Sequence, residues 1–498
     1  MNSQELWKKY EEKMFIQSAY RLVLGTTSFD AETIAPHKGD AYRNERVAYL
    51  EGELFSLQTD PEFLELVEEL SKRDDLSFQQ KRIIKWQLAD MERFRYVPKD
   101  IFVEFSKLSM ESGQMWKKAK EAKDYSLFKP YLLKVIEMSK KLLEYRHSDF
   151  KGYNILLDDF EPGMTMEKYD EFFALIKKEI VPLVAAVVKK DKIDDGFVYL
   201  NYPADQQRKL ANMILDYMKY DRDAGVLAET EHPFSDALSK YDSRVTTHYY
   251  ENNLMSSIFS IIHETGHATY NYQIRDDIAE TYCFDNISSG MHESQSRLME
   301  NYLGRTRGFW VNLFPEVKAL FPKQLENVDL ESFVRAANAS FPSLVRTDAD
   351  ELTYPLHILI RYELEKGIFD GTVDVEKLDQ LWADKYEEYL GIRPANDAEG
   401  ILQDVHWSGG AFGYFPTYAL GSGYAAQFMH AMAEDLDLEK CMENNDFQAI
   451  KDWLREHIHQ YGGLYSPAEV MVMATGESFD PRYYVDYLKK KYSELYGL

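Results

Sequence analysis

The sequence predicts a mainly α-helical fold, and three observations carry that prediction. Glycine (25) and proline (16) are sparse for a chain of 498 residues, so helix breakers are few. Apolar residues recur at spacings of three and four along most of the chain, which is the period of one helix face. Runs rich in β-branched and aromatic residues are short and lie mid-chain, leaving room for a small β-sheet only. No Pro/Gly/Ser-rich spacer, low-complexity tract or solenoid-length repeat divides the chain. Residues 1–498 therefore read as one large domain in two lobes with a groove between them. Residues 1–195 form a helical lobe and a candidate lid; residues 196–498 form the lobe that carries the chemistry.

In chain order, Leu6, Tyr10 and Met14 stripe the first helix, Leu132, Ile136 and Leu143 stripe another behind Pro130, and Phe172, Ile176 and Ile180 a third behind Pro162-Gly163. Such stripes face a core. Phe197-Val198-Tyr199-Leu200 and Val245 to Tyr250 are the strand-like runs. Helical period returns from Leu254 to about Ile274, breaks over Arg275 to Gly290 and over Gly391 to Gly400, and ends in a Tyr-rich helix near Tyr483 to Tyr496.

A net charge of −26 excludes nucleic acid as a partner and disfavours an anionic membrane surface, since both require basic patches. The longest apolar stretch, Ile180 to Val188, is too short to span a bilayer. Cys283 and Cys441 are too few for a disulfide framework, and Met1 to Phe15 has no apolar signal core. Those features predict a cytoplasmic protein.

His263-Glu264-Thr265-Gly266-His267 sits inside the periodic segment that starts at Leu254. Positions four apart share a helix face, so His263 and His267 can present imidazoles to one zinc ion while Glu264 reaches its water. Ile258, Ile261 and Ile262 precede the motif, so this helix is buried rather than a solvated surface. A catalytic zinc needs a third protein ligand and an open position. Glu293, in His292-Glu293-Ser294-Gln295, is the candidate: Leu298, Met299, Tyr302 and Leu303 continue a helical rhythm after it, so a second helix can fold back on the first.

In their order and wording these motifs resemble those of the carboxypeptidase Taq family of zinc metallocarboxypeptidases. The matching segments are His232-Pro233-Phe234, Asp242-Ser243-Arg244-Val245-Thr246, His263 to His267, His292 to Gln295, Val345-Arg346-Thr347-Asp348-Ala349-Asp350 and Gly400-Ile401-Leu402-Gln403-Asp404-Val405-His406-Trp407. Phe160-Glu161-Pro162-Gly163 and the overall length also match; Ser28-Phe29-Asp30 departs where the family has a Trp-Asp pair. The resemblance implies a helical zincin-like peptidase, with a small β-sheet beside the active-site helix, that removes single residues from peptide C-termini. It also implies broad specificity, resistance to proline, cobalt as a substitute for zinc, and a homodimer.

Hydrolysis at a chain end assigns the roles. Glu264 serves as general base and then general acid. Tyr418, with Tyr414 second and His406 beside them, stabilises the oxyanion. Arg346 is the first choice to read the substrate carboxylate, with Arg244 on a possible edge strand as its rival and His232 as a weaker substrate-binding candidate. Asp350, four positions after Arg346, is expected to hold that guanidinium or orient a zinc-ligand imidazole. The alternatives are a zinc endopeptidase or oligopeptidase without a carboxylate clamp, and a non-catalytic helical metal-binding scaffold.

Overall fold

Helical periodicity is realised as twenty-two α-helices and one three-stranded sheet in a computed structural model that describes residues 1–498. One continuous apolar core runs from Leu6 to Tyr492. The elements that bear on function are helices α1 (Ser3–Thr33), α2 (Asp40–Gln58), α3 (Tyr153–Phe160) and α4 (Met166–Val187); strands β1 (Leu227–Glu229), β2 (Ser235–Ser239) and β3 (Asp242–Thr247); and helices α5 (Leu254–Gln273), α6 (Ser289–Arg297), α7 (Tyr354–Asp370), α8 (Phe415–Asp435) and α9 (Arg482–Tyr496).

Residues 1–195 contain two kinds of helix. α2 buries none of its residues, whereas α1, against which it lies, packs on the body through Leu6, Tyr10 and Phe29. α4 is embedded: Phe172, Ile176 and Ile180 are buried, and Phe173 stacks on Tyr362 of α7 with ring centroids 4.8 Å apart.

The sheet has the order β1-β3-β2, with β1 parallel and β2 antiparallel to β3. β3 is therefore the central strand, so Arg244 does not lie on an edge. The expected strand over 197–200 is a 3-10 turn, Gly196–Tyr199, in which Tyr202 donates its hydroxyl to the Phe197 carbonyl. Its apolar residues pack rather than pair: Val198 is buried and Phe197 stacks on Phe333 with ring centroids 6.3 Å apart. β1 and β2 escape the sequence reading because Leu-Ala-Glu and Ser-Asp-Ala-Leu-Ser lack β-branched residues; pairing with β3, not propensity, makes them strands.

α5 begins at Asn253, whose side chain accepts from the Ser256 amide, satisfying one free N–H of the first turn. It packs against the sheet on one side and α6 on the other. That approach is close at Gly266: a Cβ there would lie 2.7 Å from the Gln295 carbonyl oxygen. On the far side of α6, a Cβ at Gly421 of α8 would lie 2.7 Å from Glu293 Cγ. Glycine at both contacts thus lets α5, α6 and α8 stack as three close layers, and overfilling either gap would cost about 1–3 kcal/mol.

Candidate active site

His263 and His267, one helical turn apart on α5, turn their Nε2 atoms toward Glu293 Oε2 on α6, at 3.7 and 3.5 Å. One donor atom from each of the three residues lies within 4.8 Å of the others. Glu264 lies beside them and lines the same groove of about 470 Å³, together with Pro233, Phe234, Ser235, Ser289, His292, Tyr414, Thr417 and Tyr418.

The second ring nitrogens are already engaged. His263 Nδ1 is 2.9 Å from Glu300 Oε2, and against a carboxylate it must donate, which leaves Nε2 as a lone pair. The partner of His267 is set by a longer chain. Asn271 donates through Nδ2 to Ser243 Oγ, so its Oδ1 is an acceptor, and this faces His292 Nε2 at 3.1 Å. His292 therefore donates from Nε2 and accepts at Nδ1, which lies 2.6 Å from His267 Nδ1. That contact makes His267 the donor at Nδ1 and frees its Nε2. Burial, reinforced by His267, pushes the His292 pKa down to about 3, so the ring stays neutral and able to accept.

Two imidazole lone pairs and a carboxylate oxygen converge here. That arrangement is repulsive unless a cation sits at its centre, and two His with one Glu are the donor set of a catalytic divalent site with an open position. The residues present fit such an ion.

Glu293 is held in register by Arg297, whose Nε donates to Oε1 at 2.7 Å. Burial alone would raise the Glu293 pKa, but the Arg297 guanidinium holds it well below the usual carboxylate range. Glu300 is treated alike: burial opposes its charge, and Arg297, His263 and Arg305 hold it ionised. Glu300 lies on a π-helical turn, Leu298–Leu303, that follows α6 directly. Such turns shift side-chain register within a helix.

The opposite wall is built from α8. Tyr414 and Tyr418 meet edge to face with ring centroids 5.1 Å apart, and burial raises both phenol pKa values, so both remain donors at neutral pH. His406 lies one layer back, stacked on Tyr414 at 5.6 Å. Burial pushes it down to about 4, so it is neutral. Arg346 sits behind Tyr418, its guanidinium 5.1 Å from that ring and paired through Nε and Nη2 with Asp404 Oδ1 at 3.0 and 2.9 Å. Arg361 takes the other oxygen of Asp404, so two buried guanidinium groups share one carboxylate.

Other sequence candidates stand apart. Arg244 grips Asp242 with Nε and Nη2 at 2.8 and 2.7 Å and lies 4.9 Å over the Phe29 ring of α1, outside the groove lining. His232 is exposed, immediately before the lining residues Pro233 and Phe234. Asp350 neither holds Arg346 nor orients an imidazole: it accepts from Ser340 Oγ and the amides of Phe341, Leu352 and Thr353. It knots the loop before α7 instead, and Asp404 and Glu300 do the two expected jobs. Sequence reasoning missed Glu300, Arg297 and the role of His292. The spacing of Glu293, Arg297 and Glu300, three charges at helical intervals on an otherwise buried segment, was the available signal.

Comparison with known proteins places the whole chain. Residues 9–492 match a family model described as carboxypeptidase Taq (M32) metallopeptidase. Carboxypeptidase 1 of Bacillus subtilis is 43% identical over 484 residues, covering 97% of each chain. Thermostable carboxypeptidase 1 of Thermus thermophilus is 38% identical over 497 residues, again 97% of each. The crystal structure of the M32 carboxypeptidase from Deinococcus radiodurans R1 superposes with a TM-score of 0.96 at 33% identity, over 99% of this chain and 100% of that one.

Proposed function

We propose, from the premise that this chain belongs to the carboxypeptidase Taq (M32) family and is a metallocarboxypeptidase, that it releases single residues from free peptide C-termini using zinc. His263, His267 and Glu293 would hold the ion, which when bound supplies Lewis acidity to a scissile carbonyl and lowers the pKa of water. Glu264 then takes the proton of the attacking water on its carboxylate and returns it to the leaving amine nitrogen. Tyr418, with Tyr414 beside it, keeps its phenol proton and donates to the developing oxyanion. His406, neutral and stacked on Tyr414, holds that phenol in place.

For the substrate carboxylate we favour Arg346. One carboxylate, Asp404, faces two guanidinium groups there, so a surplus positive charge lies directly behind Tyr418, and an anion arriving beside it is favoured. Arg244, already bidentate to Asp242 and covered by Phe29, is the weaker reader and serves better as a strut between the sheet and α1. His232 would meet substrate at the rim. The family resemblance supports broad specificity, cobalt as a substitute for zinc and a homodimer; the scarcity of cysteine supports a cytoplasmic site. Within the lobe over 1–195, the exposed helix α2 is the part suited to act as a lid.

The single observation that carries the reading is the convergence of two imidazole lone pairs on Glu293 in a groove that also holds Glu264. The test is mass spectrometry of one peptide as free acid and as C-terminal amide, each with zinc-loaded and chelator-treated protein. Metal-dependent one-residue losses from the free acid alone are expected. Internal cuts in both peptides would favour an oligopeptidase, and no cleavage of either a non-catalytic scaffold.

A further inference from the structure

Glu161, between α3 and α4, is fully buried and is not used by the mechanism above. All three of its partners are donors. Ser288 Oγ reaches Oε1 at 3.1 Å, the Gly290 amide reaches Oε2 at 2.8 Å, and the Tyr424 hydroxyl reaches Oε1 at 3.2 Å. Ser288 is the N-cap of α6 and Gly290 lies in its first turn, so the carboxyl group seals the end of the helix that carries His292 and Glu293; burial pushes its pKa up to about 7, against which the three donors and the positive end of the helix dipole favour the ionised form. The fit requires glycine, since a Cβ at Gly290 would lie 2.6 Å from Glu161 Oε2. Tyr424 belongs to α8, six positions after Tyr418 on the same helix.

The other end of α3 is anchored as firmly. Tyr153 donates to Glu365 of α7 at 2.6 Å, and Glu365 also accepts from the Gly413 amide at 2.7 Å, one residue before Tyr414. A Cβ at Gly413 would lie 2.7 Å from the Leu156 carbonyl group. Phe160, the last residue of α3, meets the Tyr414 ring edge to face at 5.2 Å. The eight-residue helix is thus fastened at both ends to the two walls of the groove and touches one of the phenols.

We propose that Glu161 is a positioning residue that, through α3, fixes the distance between the Glu293 helix and the Tyr414–Tyr418 helix. Peptide hydrolysis needs both walls on the same tetrahedral centre, and an error of about 1 Å in such spacing can lower turnover on the order of 100-fold. The inference rests on the metallocarboxypeptidase reading for its kinetic assay; the zinc measurement does not depend on it.

The test compares three variants of the full chain with wild type: Tyr424→Phe, Glu161→Gln and Tyr169→Phe. The Tyr169 hydroxyl is buried in the same region without a hydrogen-bond partner, so its removal reports loosened packing alone. Each is measured for kcat and KM on a free-acid peptide at saturating zinc, and for zinc affinity by competition with a chromophoric chelator. Tyr424→Phe, which cuts only the tie to α8, should lower kcat about 10-fold with KM and zinc affinity unchanged. Glu161→Gln, which also loosens the cap of α6, should lower both kcat and zinc affinity about 10- to 100-fold. Tyr169→Phe should change neither. Wild-type kcat per bound zinc in both Tyr424→Phe and Glu161→Gln would overturn the proposal, as would an equal loss in Tyr169→Phe. Should Glu161→Gln fail to fold, the contrast between Tyr424→Phe and Tyr169→Phe decides. A wild-type protein that binds zinc but cleaves nothing would count against the carboxypeptidase reading; the zinc affinity of Glu161→Gln would still decide the role of Glu161.

Discussion

The two walls of the groove are built on different principles. On the α5–α6 wall the Nδ1 of each of the two histidines has an assigned partner, Glu293 and Glu300 are each clamped by arginine, and the helices touch through Gly266. That wall is finished before any substrate arrives. The α8 wall is left open: the Tyr414 and Tyr418 phenols face the groove, the buried Nδ1 of His406 has no partner, and two guanidinium groups share Asp404. The difference teaches where each kind of work is done. Metal affinity needs fixed lone pairs, so it is placed where hydrogen bonds dictate tautomers; oxyanion and carboxylate recognition needs spare donors, so it is placed where donors are plentiful and acceptors scarce.

The contrast can be broken at several points. Glu264→Gln keeps the shape of the first wall but cannot accept a proton; kcat should fall about 100- to 10,000-fold while zinc stoichiometry and the circular dichroism spectrum hold. Unchanged hydrolysis would remove Glu264 from the mechanism. On the second wall, Tyr418→Phe should lower kcat about 100- to 1,000-fold and leave zinc affinity alone, with Tyr414→Phe milder; the reverse ranking in steady-state kinetics would hand the oxyanion to Tyr414. Glu300→Gln should do the opposite of Tyr418→Phe, weakening zinc about 10- to 100-fold in a chelator competition, because His263 loses the partner that fixes its tautomer.

Smaller effects follow from charge. Glu365, which holds the Gly413 amide before Tyr414, is pushed up to about 7 by burial. A carboxyl raised above its ordinary value of 4.5 lends stability in full below that value and loses it as pH rises through 7. Denaturant unfolding between pH 5 and 7 should therefore show stability falling with pH, by at most about 1.4 kcal/mol per pH unit from this group. Glu365→Gln should lower that slope to the part owed to Glu161, which burial likewise pushes up to about 7; an identical slope in the variant would show that Glu365 is not a source. The smallest effect concerns substrate. With a net charge of −26, peptides ending in Asp or Glu should show kcat/KM a fewfold below those ending in Leu or Phe, a gap that narrows as salt rises. Equal rates at low salt would exclude field repulsion.

Legibility in the sequence followed the range of the interaction. The α5 helix, its two histidines and Glu264 could be read directly because a four-residue spacing on a helix is a local fact. Glu293 could be read as a candidate because a second periodic segment began just beyond it. Glu300 could not, since its value depends on a π-turn and on a ring 37 positions away. Arg346 carried the right chemistry in the sequence, yet Asp404, not the nearby Asp350, is its partner across 58 positions.

What the sequence determined by itself is the helical fold, the small sheet around β3 and the three metal-ligand candidates, because each rests on periodicity or short spacing. The tertiary structure alone decided that β1 and β2 are strands, which nitrogen of each histidine is free, which carboxylate holds which arginine, and that Glu161 ties the two walls together. Those outcomes depend on which buried donor meets which buried acceptor, and a buried polar group takes whatever partner the packing supplies.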